Sequence, residues 1–330
     1  MAAFLAKRWF LLVMIAGLAV AWFFPGALGW TAWVQPQLVM ALALFLAAWT
    51  LESRSLAASF VRPWPALWAL VISYGFLPAL GWATGLLLPV VDFQIGLMIA
   101  VSVPCTLASA VLWTRMAGGN EATALLTTFL TTNLSWLATT AWLAWGTGRD
   151  VQIDTAAMMR DLVVILLVPV AVGQLARLTA PLRLVADRYK PVLGVVSRLL
   201  ILAIMLKAAA SVSAEVGAHT AALSPGLIAL TGVLCLGNHL LALFGGIWTS
   251  RWLGFDRAAQ IAVGFSGSQK TLPVSLALLE LYFKQYPLAV VPLLFYHAGQ
   301  LIVDTFIADQ WVSGSPREAA HGLGEKDEPL

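Results

Sequence analysis

Charged residues are scarce in this sequence: Asp, Glu, Lys and Arg make up 11% of its 330 residues. A soluble domain carries about 25% of them, and no water-exposed surface could hold an apolar share of 60%. The composition therefore excludes an ordinary soluble domain. The apolar residues form runs of roughly 17–25, the length that a helix needs to cross a bilayer. We predict an all-α polytopic membrane protein.

Residues that build disulfides and metal sites are also few, with two cysteines and four histidines. Cys105 and Cys235 lie inside apolar runs and the histidines show no ligand spacing, so neither a disulfide framework nor a metal site is expected. Nucleotide-binding glycine motifs are lacking, which gives no support for an ATP-driven pump or for any cofactor. The net charge of +3 is assigned to loops beside the lipid bilayer rather than to a nucleic-acid partner.

Ten apolar segments can be counted along the chain. They cover residues 9–24, 36–51, 66–89, 95–114, 122–146, 161–177, 193–214, 226–249, 258–281 and 287–308. The first segment follows Lys7 and Arg8 and resembles a signal peptide, but the many later spans favour an uncleaved first helix. The sequence therefore predicts ten transmembrane helices.

Basic residues indicate the orientation, because cytoplasmic loops are enriched in them. With the N-terminus inside, the cytoplasmic side holds fourteen of the nineteen Lys and Arg residues: Lys7, Arg8, Arg54, Arg62, Arg115, Arg177, Arg183, Arg188, Lys190, Arg198, Arg251, Arg257, Arg317 and Lys326. The outer side holds three: Arg149, Arg160 and Lys284. Both termini are therefore predicted to be cytoplasmic, in a cell inner membrane.

A basic stretch over residues 177–198 divides the chain into two halves of five segments, about 9–146 and 161–308. An odd number of spans per half means that the second half enters the membrane with opposite topology, as in inverted-repeat transporters. Residues 1–310 are accordingly predicted to be one transmembrane domain. The polar tail, 311–330, is predicted to be a disordered cytoplasmic segment.

Two segments contain polar, proline-interrupted stretches at corresponding places in the two halves. The fourth has Ser102, Pro104 and Thr106, and the ninth has the run 266–273, Ser-Gly-Ser-Gln-Lys-Thr-Leu-Pro. Proline in mid-span frees backbone carbonyls that lipid cannot satisfy, so such breaks belong against protein or a water-filled cavity. Paired breaks indicate a transporter binding site. Packing kinks with Ser and Thr bonding back to the helix remain the alternative.

Lys270 is the most informative residue, because a lysine near the bilayer centre costs about 2.5–3.5 kcal/mol. Facing it, His297, Gln300 and Asp304 are spaced i, i+3 and i+7, on one helical face. Lys270 and Lys207 outnumber the single Asp304 within the spans, which favours an anionic substrate. Three alternatives stay open: a structural Lys270–Asp304 pair, a Lys207 that snorkels to the interface, and a Lys270 that exchanges a proton because burial disfavours its charge.

The fifth segment follows Asn120 and Glu121 and is unusually rich in hydroxyl and amide side chains. These are Thr127, Thr128, Thr131, Thr132 and Asn133. Small polar residues mediate close helix contacts in membranes, so both a structural and a functional interpretation of this group stay open.

At three stretches the chain resembles the bile-acid/sodium symporter superfamily, in particular its divergent SBF-like branch. The stretches are 109–122, 268–272 (Ser-Gln-Lys-Thr-Leu) and 294–300 (Leu-Phe-Tyr-His-Ala-Gly-Gln), and the similarity covers about 10–310. The resemblance implies two inverted five-helix repeats, with a panel of segments 1, 2, 6 and 7 and a core of 3–5 and 8–10. It further implies that the fourth and ninth segments are unwound and cross, with the substrate between panel and core and sodium behind the crossing.

The chain also departs from the sodium-coupled members of that superfamily. Phe265 stands where they have a glutamate, Ala110 follows Ser109 where they have asparagine, and Ser73 replaces a glutamine. Ser109, Thr128 and Gln269 still match, but the anionic sodium ligand is gone. We therefore expect Lys270 to stand in for a coupling cation.

The sequence thus predicts a secondary active transporter of a small organic anion that works by alternating access. The substrate-binding candidates are Thr106, Ser109, Asn133, Ser268, Gln269, Lys270, His297 and Gln300. The candidates for a coupling-ion region, for sodium or protons, are Ser109, Asn120, Thr128, Gln269, Lys270 and Asp304.

Three other functions stay open at this stage. One is a sodium-coupled organic-anion symporter, and the second is a non-transporting membrane regulator with the same fold. The third is an intramembrane serine hydrolase that uses the run Gly264-Phe265-Ser266-Gly267 with His297. Substrate identity, coupling ion, transport direction and oligomeric state do not follow from the sequence.

Overall fold

The structure is a computed structural model that describes residues 2–52, 58–106, 109–147, 153–218 and 224–313. Regular structure within these ranges is helical throughout. The helices are α1 (Ala2–Phe23), α2 (Pro36–Trp49), α3 (Trp64–Gly85), α4 (Val91–Ser102), α5 (Ser109–Met116), α6 (Glu121–Gly146), α7 (Thr155–Ala176), α8 (Ala180–Arg188), α9 (Lys190–Ala218), α10 (Pro225–Trp252), α11 (Arg257–Ser268), α12 (Leu272–Tyr282) and α13 (Val290–Ser313).

Five stretches are long and apolar enough to cross a membrane: Trp64–Gly85, Thr155–Ala176, Lys190–Ser211, Pro225–Trp252 and Pro287–Trp311. The shortest have 22 residues, which at the rise of an α-helix gives about 33 Å, enough for the hydrocarbon core of a bilayer. A sixth candidate is a bent pair, Leu12–Ala21 and Pro25–Trp33, whose axes differ by 103°. The chain is therefore a multi-pass membrane protein.

Two of the predicted segments are each divided into two short helices. Residues 95–114 correspond to α4 and α5, which are separated by extended backbone at 103–106, and 258–281 correspond to α11 and α12, separated at 269–271. Pro104 lies in the first break and Pro273 lies in the first turn of α12. Proline cannot donate a backbone hydrogen bond, so it fits a break or a helix start better than a helix interior.

Helices α3 and α7 each contain one π-helical turn, at Ile72–Phe76 and Val163–Leu167. In α3 the Leu77 N–H bonds to the Ile72 carbonyl, five residues back. The next residue in that register, Pro78, has no N–H, so the Ser73 carbonyl lacks its usual helix donor. The widened turn thus provides a buried acceptor inside a membrane-spanning helix.

The polar side chains of α6 bond largely within their own helix. Four hydroxyls bond to carbonyls three or four residues back: Thr127 to Thr123, Thr128 to Leu125, Thr132 to Thr128 and Ser135 to Thr132, at 2.7–2.9 Å. The Asn133 amide does the same with the Phe129 carbonyl, at 2.8 Å. Such back-bonding hides hydroxyls from lipid, which favours the structural interpretation of most of this group.

The helices pack in two sets. The four-helix group contains α1, α2, α7 and α9, in which α2 lies against α7 and α9, and α1 lies against α9. The eight-helix group contains α3–α6 and α10–α13, in which α11 lies against α10, α3, α6 and α5. Helix α12 borders both, since it also packs on α2 and α9. Gly173 allows the close approach within the first group, because a Cβ there would lie 2.8 Å from the Phe45 carbonyl oxygen.

Some expectations differ from the structure at the ends of segments. The basic stretch expected as a loop contains a nine-residue helix, α8. Helix α13 continues to Ser313, past the expected end at 308. The rest of the predicted tail, 314–330, lies outside the described residues, as do Arg54 and Arg149 from the orientation argument.

We expect Gly96→Ala to destabilise the protein. A Cβ at Gly96 in α4 would fall on the Ala289 carbonyl oxygen before α13, and this backbone atom cannot rotate away as a side chain would. Overpacking of this kind typically costs about 1–3 kcal/mol. The matched control is Gly237→Ala in α10, where a Cβ meets no atom within 4 Å. Thermal unfolding in detergent should show a lower midpoint for Gly96→Ala alone, and equal midpoints for both variants would contradict the prediction.

Candidate functional site

The two helix breaks lie against each other. The Thr271 N–H in the second break donates to the Pro104 carbonyl in the first, at 3.1 Å. We call residues 103–106 and 269–271 together the junction. Because the junction lies within the eight-helix group, its exposed peptide groups need partners from the surrounding helices.

Neighbouring side chains satisfy the carbonyls at the end of α4. Thr139 of α6 donates to the Ser102 carbonyl at 2.8 Å, and Lys270 donates to the Val103 carbonyl at 2.9 Å. With the bond from Thr271 to Pro104, three successive carbonyls each have a different donor. The end of α4 is thereby held without a continuing helix.

Side chains of α13 satisfy the second break. Gln300 pairs with Lys270 twice: its Oε1 accepts from the Lys270 N–H at 2.9 Å and its Nε2 donates to the Lys270 carbonyl at 2.7 Å. The Tyr296 hydroxyl donates to the Ser268 carbonyl at 2.9 Å. The Gln300 amide therefore satisfies both the N–H and the C=O of Lys270, as a neighbouring peptide group would.

The Lys270 ammonium has three acceptors for its three hydrogens. Nζ lies 2.7 Å from the Ser73 carbonyl, 2.9 Å from Ser73 Oγ and 2.9 Å from the Val103 carbonyl. It also lies 5.0 Å from the centroid of the Tyr74 ring, a cation–π distance. The side chain is 2% exposed. The carbonyls freed by the π-helical turn and by the helix break thus solvate this cation in place of water.

The structure does not pair Lys270 with Asp304, one of the alternatives left open above. Asp304 Oδ2 accepts from Gln269 Nε2 at 2.6 Å, and Asp304 Oδ1 lies 2.8 Å from His239 Nε2. All three side chains, Asp304, Gln269 and His239, are fully buried. The buried cation and the buried carboxylate are therefore each bound by neighbouring dipoles rather than by each other.

The carboxylate fixes the orientation of the Gln269 amide. An ionised Asp304 can only accept hydrogen bonds, so the Gln269 amino group must face it and the Gln269 Oε1 must face the other way. There Oε1 accepts from Ser109 at 2.9 Å and from Thr106 at 3.0 Å. Three side-chain oxygens converge at this point, because the hydroxyl oxygens of Thr106 and Ser109 are also within hydrogen-bond distance of each other. Each hydroxyl has one hydrogen, so only two of these three contacts are hydrogen bonds at any one time.

Not every candidate residue lies in this network. His297 Nδ1 lies 3.0 Å from Gln300 Nε2, so the stripe His297, Gln300 and Asp304 does face the junction. The remaining candidates bond locally: Ser268 Oγ to the Gly264 carbonyl, Thr128 and Asn133 within α6, and Asn120 as the N-cap of α6. The hydrogen-bond network at the junction therefore unites Thr106, Ser109, Gln269, Lys270, His297, Gln300 and Asp304.

Sequence reasoning missed five contributors. Tyr74, Thr139, His239 and Tyr296 were not singled out, and Ser73 entered only as a departure from a resemblance. His239 has one usable signal, because Asn238 and His239 interrupt the apolar run 226–249. Ser73 also has a signal in the sequence, because Pro78, five residues later in the same helix, has no N–H to donate to the Ser73 carbonyl.

The serine–histidine pair of a hydrolase is not formed. Ser266 Oγ donates to the Ala262 carbonyl at 2.6 Å, and His297 Nδ1 pairs with Gln300. A nucleophilic serine needs a base within hydrogen-bond reach. Among the described residues, no group of three or more His, Cys, Asp or Glu could hold a metal ion.

A pocket of about 220 Å³ lies where the two helix groups meet. Pro36 of α2 and Lys207 of α9 line one side, and Leu276, Glu280 and Lys284 line the other. Lys207 also donates to the Val34 carbonyl at 2.6 Å, which fixes its ammonium group at the pocket. Leu276 lies six residues after Lys270, so the pocket lies beside α12 about two helical turns from the junction.

Comparison with known proteins gives one family and several relatives. The model of the SBF-like CPA transporter family matches residues 8–313. The chain is similar to "Sodium/bile acid cotransporter 7" of Danio rerio (28% identity, 66% of each chain) and of Mus musculus (25% identity, 91% of each chain). It is also similar to "Probable sodium/metabolite cotransporter BASS4, chloroplastic" of Oryza sativa subsp. indica, with 29% identity over 67% of this chain and 55% of that protein.

We expect Gln269→Glu to be strongly destabilising and Asp304→Asn to rescue it. The single change brings two buried carboxylates into contact. An uncompensated buried charge of this kind lowers the free energy of unfolding by about 3 kcal/mol or more. In the double variant the carboxylate and the amide exchange places, so every donor again meets an acceptor. The measurement is thermal unfolding of both single variants and the double variant. If the double variant is no more stable than Gln269→Glu, the direction of the hydrogen bonds from Asp304 through Gln269 to Ser109 does not affect stability.

Proposed function

This chain belongs to the SBF-like CPA transporter family, and we propose that it is a secondary active transporter of a small organic anion. Its relatives are named sodium/bile acid and sodium/metabolite cotransporters, so the chain is a transporter rather than an enzyme. The observation that supports an anionic substrate is Lys270, a buried cation that three oxygens bind at the junction. The proposed orientation, which the basic loops support, has both termini in the cytoplasm and the protein in an inner membrane.

The architecture that we propose has ten spans in two inverted repeats, about 9–146 and 161–308. In it α4 with α5 and α11 with α12 each form one broken span. The packing of the helices supports this, because the four-helix group contains the first, second, sixth and seventh spans. We propose that this group is the panel and that the eight-helix group is the core, within one domain over 1–310.

The proposed substrate path runs between the two groups. The pocket along α12 opens between them and has two lysines, Lys207 and Lys284, against one carboxylate, Glu280. Its excess of positive charge favours an anion. The substrate then approaches the junction, where Thr106, Ser109, Gln269, Lys270, His297 and Gln300 are the proposed contacts.

Lys270 takes the place of a coupling cation in this proposal. Its ammonium already occupies the oxygens of Ser73 and Val103, and the converging oxygens of Thr106, Ser109 and Gln269 lie within hydrogen-bond distance of one another. A sodium ion at the junction would also meet the charge of Lys270. The rival is a sodium-coupled symporter, and a non-transporting regulator is the outcome if no anion binds or moves.

We expect wild-type protein to gain no thermal stability from sodium, and Lys270→Ala to gain it. Removing the ammonium lowers the melting temperature, because it strands the carbonyls of Ser73 and Val103. Those oxygens are suitable ligands for a small cation, and binding to the folded state then raises the melting temperature by mass action. Sodium chloride is titrated against choline chloride in detergent.

The control for this experiment is Lys207→Ala, which removes the other lysine of the spans without opening the junction. It should not become sensitive to sodium. A sodium-dependent rise in the wild type would instead support the sodium-coupled symporter.

We expect Lys284 and Glu280 of the pocket to affect anion binding with opposite sign. Taurocholate serves as the probe, because it is a bile acid and an organic anion. Lys284→Gln should weaken its binding about two- to fivefold, the effect of an exposed charge. Glu280→Gln should leave the affinity unchanged or raise it. Binding is measured as a thermal shift and transport as uptake into proteoliposomes. Equal weakening of binding by both changes would contradict a charge-based path. If no anion tested binds or is taken up, the result would favour the non-transporting regulator.

A further inference from the structure

Helix α8 lies at one surface of the membrane. It connects α7, which ends at Ala176, with α9, which begins at Lys190. Both of these helices are long and apolar enough to span a bilayer. A nine-residue helix joining two adjacent spans must therefore lie beside the headgroups on one side, whichever side that is.

One face of α8 presents apolar side chains. Leu182 and Val185 are spaced i and i+3 and are 43% and 42% exposed, and Tyr189, which follows the last residue of the helix, is 48% exposed. Ala186 is the only buried residue of the helix. An apolar stripe on a short charged helix is the pattern of a helix that lies in the membrane interface.

Two arginines of α8 have no anionic partner within the described part of the chain. Asp187 is bound by Arg177 at 2.7 Å, and Lys190 is bound by Glu52 at 2.9 Å. The Lys190 hydrogen bond lowers the pKa of Glu52, which keeps that carboxylate charged. Arg183 and Arg188 are exposed and remain available for anions.

Helix α8 is also tied to the four-helix group. The Arg177 guanidinium, 5% exposed, donates one bond to Asp187 and another to the Trp49 carbonyl at the end of α2, at 2.8 Å. Gln174 donates to the Ala48 carbonyl at 2.6 Å. Whatever α8 binds is thereby coupled mechanically to α2 and α7.

We propose that α8 is a membrane-surface anchor that inserts Leu182, Val185 and Tyr189 into the headgroup region and binds anionic phospholipid through Arg183 and Arg188. The guanidinium groups suit phosphate, which they bind through paired N–H donors. The anchor goes beyond the proposed transport function and does not depend on it. It would hold the four-helix group against the bilayer surface.

The first test places a spin label at Leu182→Cys, with Leu184→Cys as the matched control. Leu184 is also an exposed leucine of α8 but lies about 160° away around the helix. The native cysteines are buried, so the label reacts with the introduced residue. In nanodiscs, the Leu182 label should be relaxed more by oxygen and the Leu184 label more by a water-soluble nickel complex. Equal access of the nickel complex to both labels would overturn the membrane orientation.

The second test titrates phosphatidylglycerol against phosphatidylcholine and follows the melting temperature. Arg183→Gln/Arg188→Gln should raise the half-maximal phosphatidylglycerol concentration about fivefold for each arginine removed. The control, Arg62→Gln/Arg251→Gln, removes two exposed arginines away from α8. It should leave the half-maximal phosphatidylglycerol concentration near the wild-type value. An equal loss in both double variants would overturn the assignment of the anionic lipid to α8. No test here requires transport, so failure of the anchor and failure of the transport proposal are distinguishable.

Discussion

The structure depends on one constraint: peptide groups that leave a helix inside a membrane must find other partners. A buried N–H or C=O without one costs about 1–3 kcal/mol, and the junction frees several at once. Lys270, Gln300, Tyr296 and Thr139 each bond to one of these groups. The free-energy cost of burying a polar side chain in an apolar segment is therefore offset by its hydrogen bonds to the backbone breaks around it. The breaks in turn are stable because those side chains are present.

The same constraint explains why the buried charges lie apart. The oxygens of Ser73 and Val103 saturate the Lys270 ammonium, and the side chains of Gln269 and His239 bind the Asp304 carboxylate. A direct ion pair would have left the carbonyls at the break without a donor. Separating the charges also gives direction to the hydrogen-bond chain from Asp304 through Gln269 to Ser109. The site therefore has a defined polarity, which a lone Lys–Asp pair would not give it.

Much of the architecture could be predicted because lipid imposes strong rules on sequence. Apolar run length identifies the five stretches that are long and apolar enough to cross a membrane, and mid-span prolines such as Pro104 mark the breaks. The partners at the site were harder to predict, because helix periodicity says which residues share a face but not which helix that face meets. His239 and Ser73 became visible only when α10 and α3 were packed on the junction. Helix α8 was missed for another reason: its arginines and its short length look like a loop when no packing is known.

If the two groups move relative to each other in the proposed transporter, the division between them decides which bonds have to break. Every junction bond described above joins helices of the eight-helix group, so this group can move as one body without exposing a broken peptide. A different bond joins the groups: the Tyr282 hydroxyl of α12 donates to Asp161 of α7 at 2.7 Å. The Asp161 side chain is 28% exposed, so water can replace its partner when the groups separate, and the net loss is only about 0.5–1.5 kcal/mol. The hydrogen bonds that are expensive to break thus lie inside one group, and the hydrogen bond from Tyr282 to Asp161 between the groups is one that water can replace.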